Sequence, residues 1–143
     1  MIAQNTSPGS QDNSVRWWLP ERVIYVGIQE DITSVTADWR LHQLIGLIHT
    51  CPTQRVHVII EVQPGHHLPN VFHPVSRRLI AQPRRGWVVT IVDYPAWQRH
   101  LLNFLTRLTY LRYDFCATRQ AAFDVLQRHD PTLPQLSNFE IKN

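Results

Sequence analysis

The run from Val56 to Val62, VHVIIEV, constrains this chain more than any other stretch. It is short, apolar and rich in β-branched residues, and Gln63-Pro64-Gly65 ends it, which is the pattern of a central strand running into a loop. A loop at the carboxyl end of a central strand is where open α/β sheets place their working surface. Gln63, Gly65, His66 and His67, with His73 and Ser76 just downstream, are therefore the first candidate site residues. With 143 residues there is room for one domain and one core.

Apolar residues make up 43% of the chain and five are Trp, while only 17% are charged, below the usual quarter. Long disorder is thereby excluded except at the ends. Residues 1–13 are polar, contain Pro8-Gly9, and read as a disordered tail. The single domain is expected over 14–133, and 134–143, with Pro134 and few apolar anchors, as a frayed tail.

Val15–Leu19 and Val23–Ile28 are two β-rich runs separated by Pro20-Glu21-Arg22, a hairpin spacing. Thr33 or Ser34 can cap a helix whose Ala37, Leu41, Leu44, Ile45 and Ile48 form one apolar stripe, ending at Thr50-Cys51-Pro52. A second helix is expected around Pro74, with Val75, Leu79 and Ile80 on one side. Trp87–Val92 is a continuous apolar strand of the kind covered on both faces. Pro95 opens a third helix in which Trp97, Leu101, Phe104, Leu105 and Leu108 are expected inward and Gln98, Asn103, Thr106 and Arg107 outward. Leu111–Cys116 alternates as a last strand, and Thr118 caps a helix that turns Ala122, Phe123, Val125 and Leu126 inward.

A hairpin followed by strand–helix crossovers predicts an α/β fold: a mixed, mainly parallel sheet of about five strands with about four helices. The loops at 29–34, 62–73, 93–95 and 116–118 then leave one sheet edge, each before a helix N-terminus. Asp93, Tyr94 and Thr118 join the candidate rim, whose free amides suit a small anion or an acidic peptide group.

Other chemistry finds little footing. Cys51 and Cys116 show no disulfide or zinc-site spacing. His66, His67 and His73 could bind a metal or sense pH, but no Cys or carboxylate stands at fixed spacing, and solvated loop histidines are the default reading. No nucleophile elbow or phosphate-binding loop is present, and Glu61, Asp93 and Asp31 each serve equally as strand-end or helix-entry residues. The net charge of +3 is Arg spread along the chain. Arg77, Arg78, Arg84 and Arg85 beside Trp87 read as a solvated face rather than a nucleic-acid platform. No enzyme activity, cofactor or nucleic-acid partner is expected. The N-terminus lacks a basic and then apolar leader, and no apolar run reaches the ~20 residues of a membrane span, which predicts a cytoplasmic protein. One of Trp17 and Trp18 is expected to face away from the core as an association surface, giving a homodimer through the hairpin edge.

The hairpin, the helix TSVTADWRLHQLIGLIHTCP, the strands VHVIIEV and GWVVTIV, and the ending LRYDFCATRQAAFDVLQRHDPTL together resemble the STAS-like proteins, the anti-sigma-factor-antagonist fold of small bacterial proteins. The resemblance covers about residues 15–133. It implies a regulatory, non-enzymatic module that binds a partner protein or small ligand. In the antagonists, the strand matching Val56–Val62 runs to a serine phosphorylated by a partner kinase. Here the matching place reads Glu61-Val62-Gln63-Pro64-Gly65-His66-His67, without a hydroxyl, and the next one downstream is Ser76. The related CRAL-TRIO lipid-binding domains imply the alternative of a hydrophobic-ligand or lipid carrier.

Overall fold

The computed structural model describes residues 15–28, 34–51, 55–64 and 74–136. Strands β1 (Val15–Leu19), β2 (Val23–Ile28), β3 (Val56–Val62), β4 (Arg85–Ile91) and β5 (Tyr113–Cys116) form one sheet in that spatial order. β1 and β2 are an antiparallel hairpin, and every later pair is parallel. Helices α1 (Ser34–His49), α2 (Pro74–Ile80), α3 (Ala96–Leu108) and α4 (Arg119–His129) connect and follow the strands. The result is the mixed, mainly parallel α/β sheet that the sequence predicts.

Because the strand order is sequential, each parallel crossover steps one strand in the same direction. Right-handed connections then deliver α1, α2 and α3 to the same side of the sheet. Leu41, Leu44 and Ile48 of α1 and Leu79 of α2 pack there with Ile24, Val26, Val58, Ile60 and Val88. α4 follows the last strand and folds back over the opposite face, where Phe123, Val125 and Leu126 meet Val23, Tyr25, Ile59 and Val89.

Two consequences correct the sequence reading. With both sheet faces covered, neither tryptophan of the hairpin is left over for solvent. Trp18 is 6% exposed within the α4-side cluster, and Trp17 is half-buried on the α1 side. The described chain is also packed past residue 133, where the frayed tail is expected to begin. Leu133 and Leu136 are buried, and the Trp18 indole N–H donates to the Leu136 carbonyl at 3.0 Å, so the chain is anchored through residue 136. Residues 1–14 and 137–143 lie outside the described set.

The largest departure is α3, which stands the other way round. Thr106, expected outward, is 1% exposed, while Trp97, Leu101, Phe104, Leu105 and Leu108, expected inward, are exposed. The cause is what the helix covers. β5 is an edge strand, and in a parallel strand every second residue turns its N–H and C=O away from the neighbouring strand. The Phe115 N–H donates to Asn103 Oδ1 at 2.8 Å, and Asn103 Nδ2 donates to the Phe115 carbonyl at 3.2 Å. Thr106 Oγ1 reaches the Tyr113 carbonyl at 3.2 Å. A helix that closes a strand edge must offer it polar groups, because a buried unpaired amide costs about 1–3 kcal/mol. Asn103 and Thr106 therefore face in and the apolar stripe is turned out, while Arg107 is exposed as expected.

α3 ends with Tyr110 in the left-handed region at φ 55°. The Leu111 N–H returns to the Thr106 carbonyl, the wrap of a Schellman end at which glycine is usual. Tyr110→Gly is expected to raise stability by about 1 kcal/mol, since the left-handed penalty of a side chain disappears. A denaturant midpoint that falls in dilute protein, where contacts between molecules do not contribute, would overturn this reading of the helix end.

Candidate functional site

The carboxyl ends of β2 to β5 share one edge of the sheet, as their parallel registers require. Gln63 and Pro64 are exposed there, and the Gln63 N–H prolongs the β2–β3 ladder by donating to the Ile28 carbonyl. Gly65, His66, His67 and His73 lie outside the described residues, and Ser76 falls in α2 with its side chain outside them. Asp93 is exposed beyond β4. Tyr94 is half-buried, and its carbonyl accepts from the Arg99 guanidinium. The Thr118 hydroxyl accepts from the Ala121 N–H at 3.1 Å and so caps α4. Asp93, Tyr94 and Thr118 thus stand at one rim with Gln63, and the role seen for Thr118 is capping.

A cluster that the sequence reading missed occupies the α4 side of this edge. Glu61 Oε1 accepts from the Tyr25 hydroxyl at 3.0 Å and from Arg119 Nε at 2.6 Å. The Arg119 guanidinium also lies 5.9 Å from the Trp18 ring centroid and 5.7 Å from that of Tyr25. Burial, and then the neighbouring Glu61 carboxylate, push the Tyr25 phenol up to about 12. The phenol therefore stays protonated at neutral pH and donates to Glu61. The only sequence signal was a lone glutamate in an otherwise apolar strand.

The opposite edge carries a histidine–carboxylate clamp. His57 Nδ1 accepts from the Trp87 backbone N–H at 2.9 Å, which leaves Nε2–H to donate to Asp130 Oδ2, also at 2.9 Å. Arg22 Nη2 meets the same carboxylate oxygen at 3.0 Å. Beside the clamp, Trp87 stacks on His129 with ring centroids 3.6 Å apart and planes 6° from parallel. Trp87 is thus engaged within the fold. Arg85 is likewise withdrawn from the expected basic face: it is buried, and its guanidinium donates to the Ile80, Gly86 and Arg112 carbonyls. Arg77 and Arg78 remain exposed.

Burial lowers the pKa of His57, with Asp130 only partly opposing it, so the ring is neutral in the folded protein near neutral pH. At Asp130 burial opposes ionisation, but hydrogen bonds from Thr132, His57 and Arg22 outweigh it and hold the carboxyl well below the usual carboxylate range. Both shifts are downward, so on acidification the unfolded chain takes up protons before the folded one. Stability is expected to fall below about pH 6.5 as the unfolded His57 titrates, and again below about pH 4 through Asp130. Urea midpoints at about pH 7.5 and pH 5 check this, with a smaller drop expected in His57→Gln; equal midpoints for the wild type would refute it.

Burial pushes the Cys116 thiol up to about 12, which leaves no thiolate at neutral pH. Among the described residues, no group of three or more His, Cys, Asp or Glu side chains is placed to hold a metal ion, and no helix is long and apolar enough to cross a membrane.

The outward face of α3 is what the described surface offers most plainly. Trp97 is 68% exposed, Phe104 57% and Leu108 60%, with Leu101 and Leu105 between them. Tyr110, just past the helix end, is 94% exposed. Basic residues of the helix, His100 and Arg107, flank this stripe and are exposed, and α3 has no acidic residue. Comparison with protein-family models, with curated proteins and with solved structures finds no match.

Proposed function

We propose that this chain is a non-enzymatic protein-interaction module of the STAS-like kind, and that it docks its partner through the outward face of α3. One observation carries the reading: among the described residues, five large apolar side chains of α3 face solvent, whereas α1 exposes Trp39 alone of its large apolar residues and α1, α2 and α4 turn Leu41, Leu44, Ile48, Leu79, Phe123 and Leu126 inward. Large contiguous apolar patches on soluble domains mark association sites. The face begins at the C-terminal sheet edge, where Asp93 and Tyr94 lead into the helix, so the rim expected from the sequence and the helix surface adjoin. The regulatory role implied by the family resemblance fits a module of this kind.

The test is capture from host lysate by the wild type and by Leu101→Glu/Phe104→Glu. Both substituted side chains are exposed, so the fold is retained, and the captured partner is expected to be lost with the double substitution. Unchanged capture would remove α3 from the function. The competing carrier reading predicts a co-purified apolar molecule in native mass spectra, and such an adduct, persisting in the double variant, would replace the interaction reading.

A further inference from the structure

Resting on the reading of α3 as a docking face, we infer that its occupant is a second copy of this chain, bound as an antiparallel α3–α3 pair across a two-fold axis. Trp97, Leu101, Phe104 and Leu108 are spaced by four, three and four residues, so they form one continuous apolar ridge against which a second helix can pack. With the axis midway between Leu101 and Phe104, Trp97 meets Leu108 of the second copy and Phe104 meets its Leu101. Every aromatic ring is then set against a leucine, so large and small side chains alternate along the seam as interdigitation requires.

The charges select the antiparallel arrangement. α3 has no acidic residue, and a parallel pair would set Arg107 beside Arg107. Antiparallel packing instead separates the two Arg107 side chains and opposes the two helix dipoles favourably. The area is also adequate. From their exposures, the seam residues with Leu105 and Tyr110 offer roughly 700 Å² per copy, so a pair would remove up to roughly 1,400 Å², within the range of stable specific interfaces. Tyr110 adds a separate pointer: a bulky ring kept at a left-handed position and almost fully exposed has no role within the monomer that glycine would not fill better.

Sedimentation of the full chain at about 100 µM tests this, because an interface of this size gives dissociation constants from micromolar downward. The expected mass is twice the 16.8 kDa of one chain, and Leu101→Glu/Phe104→Glu is expected to weaken pairing by roughly 100-fold or more with an unchanged circular dichroism spectrum. Oxidation of a mixture of Trp97→Cys and Leu108→Cys proteins is expected to yield the mixed cross-linked dimer, with neither protein cross-linking alone. A wild-type monomer, a dimer indifferent to the double substitution, or cross-linking of Trp97→Cys with itself would each overturn the proposal. A monomer that still loses a captured partner through the double substitution overturns the second copy alone. One for which the substitution changes neither mass nor capture overturns the docking face as well.

Discussion

Replacing Trp18 with alanine is expected to remove about 3–5 kcal/mol of stability, the cost of emptying a large aromatic site in a packed interior. Trp18 sits where three parts of the chain meet. Its ring lies 5.7 Å from that of Tyr25 on β2 and 5.1 Å from that of Phe123 on α4. Its N–H holds the Leu136 carbonyl, which fastens the C-terminal segment over the sheet. α4 packs mainly over β4 and β5, so Trp18 and Leu136 close the part of this face towards the hairpin. Trp18→Phe separates the two contributions. It keeps most of the packed area but leaves the Leu136 carbonyl without its donor, at a cost of about 1–2 kcal/mol. Urea unfolding followed by circular dichroism reads both values. A loss below about 1 kcal/mol for Trp18→Ala would mean that the ring is not part of the core.

That prediction is the reverse of what the hairpin suggested on its own, and the reason shows how far the sequence reaches. Alternation along Val15–Leu19 says that Trp17 and Trp18 lie on opposite faces, but not whether both faces are covered. Coverage depends on where α4 and the segment to Leu136 come to rest, and those contacts join residues more than a hundred positions apart. The strands and helix stripes were legible because periodicity is local: Leu41, Leu44 and Ile48 are buried as their spacing predicts, and so are Ala122, Phe123, Val125 and Leu126. Periodicity also divides α3 into an apolar and a polar stripe, but it does not say which of them turns towards the sheet. The helix answers instead to the unpaired amides of β5, and Asn103 and Thr106 were the residues to read. The candidate rim was legible only as a set of loops. The Tyr25–Glu61–Arg119 cluster joins three distant elements, so no local pattern announces it.

Gly86→Ala is expected to cost roughly 3 kcal/mol, although it adds one methyl group to a small residue in a strand. A Cβ at this position would lie 2.4 Å from His57 Nδ1 and 2.7 Å from its Cε1, distances no real contact adopts. The imidazole has little freedom to yield: it is buried on β3, and both ring nitrogens are engaged, with the Trp87 N–H and with Asp130. Moving it strips the Trp87 amide of its acceptor and pulls Nε2 from the carboxylate that also binds Arg22. Glycine is needed here for a close approach of strand and ring rather than for its backbone freedom. The claim can be isolated by a double-mutant cycle. In a His57→Ala background the space is vacant, so Gly86→Ala should then cost little, and the difference between the two backgrounds should fall near the upper end of measured couplings, about 2–3 kcal/mol. Equal costs in both backgrounds would show that the penalty of Gly86→Ala comes from the strand itself, and the clamp would lose its glycine.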